Sequence, residues 1–200
     1  MRNFILNGFM WRSHLARSLH QHRNQPEARF LQLATIDLDQ RPRNRTVVFR
    51  GFLENSDRFP DCLKIITDSR SQKIEQIKAN PWAEVSWYFT KTRSQFRILG
   101  KLILIDSEFL DLELQTARSV VWQALSEPAR MQFTWAHPRE SRVDFLEIAP
   151  PDPAQPLDNF CLLLLQPIEV DRLELRGTPQ NRWIYQRDEQ GNWSEQEVNP

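Results

Sequence analysis

Residues 82–106 constrain this chain more than any other stretch. In Trp82–Thr90, Ala83, Val85, Trp87 and Phe89 share one parity, and Trp82, Glu84, Ser86 and Tyr88 share the other. A period of two puts the first set on one face of a β-strand. Lys91–Arg93 turns the chain, and Ser94–Asp106 resumes the pattern with Phe96, Ile98, Gly100, Leu102 and Leu104 on one side. Gln95, Arg97 and Lys101 take the opposite side. Two long alternating strands joined by a short turn predict an antiparallel sheet with one face in a core.

The rest of the chain supplies partners for that sheet. Phe30–Asp37 and Arg43–Phe52 flank the polar turn Leu38–Pro42 and predict a hairpin. Cys62–Thr67 is a third strand, and Asp68–Asn80 is expected as a short helix with Ser69 and Gln72 at capping-box spacing. Before the hairpin, Trp11, Leu15, Ala16 and Leu19 recur at helical spacing, with Pro26 beyond the helix. After residue 105, Asp106–Gln115 and Thr116–Leu125 read as helical, and Ala129–Trp135 as the start of another short helix. His137–Pro156 is rich in proline and acids and reads as a surface loop. Asn159–Leu175 is expected as an apolar strand broken by Pro167, and Arg182–Gln186 with Trp193–Val198 as a closing hairpin. The fold class is mainly β (α+β): an antiparallel barrel with flanking helices, whose closure leaves few unpaired edges. A chain of 200 residues with no internal repeat is expected to be one domain, residues 1–200.

Lys+Arg and Asp+Glu both total 26, so bulk attraction to nucleic acid or to an anionic membrane is not expected. No apolar run reaches the length of a membrane helix, and Phe4, Ile5 and Leu6 within Met1–Met10 are too short for a signal-peptide core. Cys62 and Cys161 lack zinc-ligand spacing, and His20 and His22 would point apart on a helix, so no metal site is expected. A reducing cytoplasm is the expected location. The five glycines are scattered, which excludes a Gly-rich phosphate loop and a Gly-x-Ser-x-Gly elbow.

The chemistry concentrates in Arg43–Phe52, which reads Arg-Asn-Arg-Thr-Val-Val-Phe-Arg-Gly-Phe. Arg43, Arg45 and Arg50 repel one another on so short a strand unless solvent or an anion separates them; a charged edge strand is the plainer alternative. Arg45 and Arg50 have opposite parity, so both serve one ligand only if the strand bends near Gly51 or one of them uses backbone atoms. The junction after the third strand offers hydroxyls at Thr67 and Ser71 and charge at Arg70 and Lys73, suited to a phosphate at a helix start. Gln95 presents an amide donor and acceptor together, as the edge of a flavin ring does.

In order, Arg-Thr-Val-Val-Phe-Arg-Gly-Phe, Thr-Asp-x-Arg-Ser-x-Lys and Gln-Phe-Arg-x-x-Gly resemble the pyridoxamine 5′-phosphate oxidase-like flavoproteins. The subfamily with the stretch Leu125–Trp135 and the ending Val198–Pro200 is the most similar, and the resemblance runs from about Trp11 to Pro200. It implies an FMN-binding split β-barrel of Greek-key type, and a homodimer with FMN at the subunit interface. It also implies a role for particular residues. Arg45 falls where the family has an arginine on the flavin's phosphate-bearing chain. Thr46, Val47, Val48 and Arg50 run beside the flavin, and Ile66, Thr67, Ser71 and Lys73 match the phosphate-binding junction. Gln95 matches the glutamine on the ring, and Arg182 the late arginine near it. Departures accompany these matches. Arg50 stands for a lysine, Gln72 for a phosphate arginine whose place Arg70 is expected to take, and Leu175 for a tryptophan. Gly177–Arg182 is too short for the family's substrate motif, and its substrate tyrosine, arginine and serine fall at Trp122, Ser126 and Arg130. The expected function is therefore FMN-dependent oxidoreduction of a substrate other than pyridoxamine phosphate, with catalytic residues unassigned. The alternatives are a non-catalytic FMN-binding module and, as a third class, a barrel binding single-stranded nucleic acid.

Overall fold

The computed structural model describes residues 10–144 and 148–200; the signal-peptide reading of the first residues lies mostly outside them, as do residues 145–147 of the expected loop. The elements are α1 (Met10–Gln21), β1 (Phe30–Ile36), β2 (Pro42–Val48), β3 (Leu63–Asp68), α2 (Lys73–Ala79), β4 (Trp82–Phe89) and β5 (Ser94–Ile105). They are followed by α3 (Leu112–Gln123), α4 (Glu127–Met131), β6 (Phe160–Glu174), β7 (Asn181–Arg187) and β8 (Trp193–Val198). A 3-10 turn, Pro26–Arg29, leads into β1, and another, Gln132–Thr134, follows α4.

All strand pairs are antiparallel, in the order β2-β1-β4-β5-β6-β7-β8, with β3 on β6. The barrel closes where β2 runs on past Val48. Arg50 N–H donates to Lys64 O, Lys64 N–H to Gly51 O and Leu53 N–H to Cys62 O, each at 2.8 Å. The ring is thus β1, β2, β3, β6, β5, β4, with the chain stepping out of order between β3 and β4 as a Greek-key path does.

β6 explains why the barrel is split. One of its edges pairs β5 along nearly its whole length; the other pairs β3 through Leu165 and then β7 from Glu169. Pro167 sits in the gap between those two partners, so its missing N–H breaks neither ladder, and the strand continues where an interruption was expected. Opposite Pro167 the β5 register shifts at Gly100, where an added Cβ would lie 2.2 Å from Gln166 O. Only glycine lets the two backbones approach that closely.

Alternation also explains the run Phe-Cys-Leu-Leu-Leu-Leu. Leu163 and Leu165 point into the barrel core with Trp11, Leu33, Trp87, Phe96 and Ile98. Phe160, Leu162 and Leu164 point the other way, into a second core under α3 with Ile105, Trp122 and Phe133. Both faces of this half-strand are buried, so it reads as continuously apolar. Each fully buried side chain of this size contributes about 1.5–3 kcal/mol. Trp122 belongs to this second core, and its Nε1–H donates to Asp152 O at 2.9 Å. Its ring is spent on packing in that core.

Two helix starts differ from expectation, for one reason. α3 begins at Leu112, not Asp106, because the Asp111 carboxylate accepts the Leu114 N–H and caps it there. α2 begins at Lys73, and the Ser69–Gln72 capping box does not form. The Asp68 carboxylate takes the Arg70 N–H, and Ser69 N–H goes to Asn159 O. The shared cause is an aspartate that takes a nearby backbone N–H: Asp111 caps the helix it starts, and Asp68 holds the preceding turn out of helix.

Candidate functional site

A cavity of about 460 Å³ opens between the ends of β2 and β3, the turn before α2, and the segment after α4. That volume falls in the range of small-molecule sites. Arg45, Thr46, Val47, Val48 and Arg50 line it from β2 and its extension; Ile66, Thr67, Asp68, Arg70 and Lys73 line it from β3 and the start of α2. The parity conflict between Arg45 and Arg50 resolves where the strand changes partner. Phe49 N–H leaves the β1 ladder for Arg29 O, Arg50 pairs with Lys64, and Gly51 takes φ +98°. The bend brings both arginines to one cavity.

The cations are held by neutral groups. The Lys73 ammonium donates to Thr67 Oγ1 at 2.8 Å and Ser71 Oγ at 2.7 Å. Burial, then the charge of Arg45, push its pKa down from 10.5 to about 8. Arg45 donates to Thr35 Oγ1 at 2.6 Å, Leu33 O at 3.2 Å and Gln76 Oε1 at 2.9 Å. Burial, then Arg43, lower its pKa. Arg50 has a buried Nε with no hydrogen-bond partner among the described residues, and burial, then Arg29, lower its pKa as well. Positive charge has been gathered and partly desolvated here, and among the described residues no carboxylate is a hydrogen-bond partner of Arg45 or Lys73. An anion would relieve that arrangement.

Arg70 differs. Its guanidinium grips the Asp68 carboxylate at 2.9 and 2.7 Å, and this bond raises its pKa despite partial burial. Burial pushes the Asp68 carboxyl up, but the bonds from Arg70 and Asn159 outweigh it and hold the pKa low.

Gln95 and Arg182 do not line this cavity. Tyr88 pairs with Gln95, Gln95 with Leu173, and Leu173 with Arg182, so these side chains stand in one row across β4, β5, β6 and β7. Arg182 is clamped by the Asp171 carboxylate at 2.9 and 2.6 Å. The expected residues therefore fall into two groups: the cavity, and a row on the sheet.

The far wall is Gln132, Phe133, Trp135, Ala136 and Pro138. Trp135 is 52% exposed and lines the cavity. The others carried no periodic signal, because long-range hydrogen bonds bring them in.

The model of the family described as pyridoxamine 5′-phosphate oxidase, FMN-binding domain, matches residues 9–106. The Arabidopsis thaliana protein named pyridoxine/pyridoxamine 5′-phosphate oxidase 2 is 36% identical over 195 residues, spanning 95% of this chain and 96% of that relative. The crystal structure of a pyridoxamine 5′-phosphate oxidase-related, FMN binding protein from Nostoc punctiforme is 50% identical, with a TM-score of 0.92 over 98% of this chain and 100% of that one. PhzG from Burkholderia lata, in complex with tetrahydrophenazine-1-carboxylic acid, shares the fold at 21% identity and a TM-score of 0.74, over 97% of this chain and 94% of that one. Fold, sequence and likeness agree: the chain belongs to the FMN-binding pyridoxamine 5′-phosphate oxidase family.

Proposed function

We propose that this chain is an FMN-dependent oxidoreductase working as a homodimer, with the FMN phosphate at the Lys73 end of the cavity. The observation that carries this reading is the cluster of Arg45, Arg50 and Lys73, gathered with neutral partners around one cavity. A phosphate dianion fits that donor set. Charge-assisted bonds of this kind contribute roughly 1.5–3 kcal/mol each. Lys73 is already fixed by Thr67 and Ser71, and Arg45 by Thr35 and Gln76, so little side-chain freedom remains to be lost on binding. Arg50 lines the same cavity and adds a third cation on the ribityl or ring side.

When bound, FMN supplies hydride acceptance; the protein supplies position and field. Phe133 and Trp135 would shield one side of the ligand from water. Gln95 and Arg182 support the dimer: a site with cations in one chain and a ring-edge amide elsewhere on the sheet is completed when a second copy brings its row to the cavity. Trp122 and Arg130 are buried, and Arg130 donates to Leu125 O, which favours a substrate other than pyridoxamine phosphate. Cys62 and Cys161 are buried free thiols, as proteins of a reducing compartment commonly carry, and we place the protein in the cytoplasm.

Anaerobic reduction tests this. Purified yellow protein should bleach with NADPH, NADH or another donor and regain colour in air, more readily than with pyridoxamine 5′-phosphate. A flavin that no donor reduces would leave a binding module in place of an enzyme.

A further inference from the structure

Arg70 lines the cavity, yet its guanidinium is largely committed elsewhere. Nε–H donates to Asp68 Oδ1 at 2.9 Å and Nη2 to Asp68 Oδ2 at 2.7 Å. Nη2 also donates to Phe133 O at 3.2 Å, and Nη1 to Trp135 O at 3.0 Å. A guanidinium has five N–H groups in a fixed fork, so these bonds leave about one for anything else. Its charge is also matched at contact distance by Asp68. Asn159 completes the arrangement, donating to Asp68 Oδ2 at 2.8 Å and Phe133 O at 2.9 Å, while its own carbonyl accepts the Ser69 N–H at 2.9 Å. Three stretches far apart in the chain meet here: the end of β3, the segment after α4 and the approach to β6.

We propose that Arg70, with Asp68 and Asn159, is a positioning residue: it holds Phe133–Trp135 as the far wall of the cavity and does not bind the phosphate. This rests on the reading that the cavity takes FMN. It assigns different work to two cations of one turn. Lys73, with neutral partners, meets the anion; Arg70, with a carboxylate and two carbonyls, sets the distance between the phosphate end and the aromatic wall. A planar ring needs such a wall at a fixed separation; Phe133 is also anchored by packing on Trp122 and Phe160, whereas exposed Trp135 sits on no helix or strand that would fix it.

The test separates phosphate contact from wall position. FMN and riboflavin share the ring and differ in the phosphate, so the ratio of their dissociation constants reports phosphate contacts alone. Lys73→Met should collapse the ratio by about tenfold or more. Arg70→Met should weaken both flavins in parallel, by about 3–10-fold, and leave the ratio within about twofold. In flavin-free protein, Arg70→Met and Asn159→Ala should each speed amide hydrogen exchange across residues 127–136 by about tenfold. A ratio that falls in Arg70→Met as far as in Lys73→Met would make Arg70 a phosphate ligand and overturn the proposal. Unchanged exchange in both variants would also overturn it. If Arg70→Met does not fold, Asn159→Ala carries both readouts. If the unaltered protein binds neither flavin, the FMN reading fails, while the exchange comparison still decides whether the wall is held this way.

Discussion

Arg45 and Arg182 are both arginines on β-strands of one sheet, and the protein treats them in opposite ways. Arg182 is clamped by Asp171, a buried carboxylate that also reaches Arg97. Arg45 is held by a threonine, a glutamine and a carbonyl. The first is neutralised within its own chain, and the second is not. The difference teaches how to read charge in this fold: the count of cations matters less than whether a carboxylate accompanies them. By that measure the cavity is prepared for an anion, and the row of Gln95 and Arg182 is built to present polar edges without excess charge.

The largest effect should come from the cavity side. Arg45→Ala together with Lys73→Ala should weaken FMN binding by about 100-fold or more while leaving the fold intact, since each removes a charge-assisted bond. Equilibrium dialysis with circular dichroism checks both; full flavin occupancy would break the comparison. Next comes pH. The folded chain releases the Lys73 proton at about 8, below its usual 10.5, so between these values the unfolded chain holds more protons. Folding therefore gains stability from this group as pH rises through that window. FMN binding responds in the opposite sense, because the phosphate favours the charged ammonium. Affinity should fall by up to about tenfold per pH unit above that value, and Lys73→Met should flatten the profile. A flat profile in the unaltered protein would remove Lys73 from the phosphate site. The smallest effect belongs to the row: Gln95→Leu should shift the visible flavin band by a few nanometres while changing affinity by less than about threefold. An unchanged spectrum would count against its contact with the ring.

The parts that were legible in the sequence are those with a strict period or a local cause. The strand parities of Trp82–Phe89 and Ser94–Ile105 run true because one face of each is buried. The hydroxyl and ammonium groups of Thr67, Ser71 and Lys73 lie within a few residues of one another, so their meeting could be read directly. Asp68 and Asp111 defeated two helix starts because a single side-chain bond redirects a terminus, and periodicity does not register it. Pro167 was misleading because the sequence does not say that β6 changes partner there. The wall at Phe133–Trp135 was the least legible. It is fixed by hydrogen bonds from Arg70 and Asn159, tens of residues away, and its own residues carry no pattern.

The most direct measurement is the visible absorbance of freshly purified, desalted protein, followed by identification of the released chromophore. The account expects a yellow preparation whose cofactor is FMN at about one per chain, lost in Arg45→Ala/Lys73→Ala. A colourless protein that stays colourless after incubation with excess FMN would contradict it.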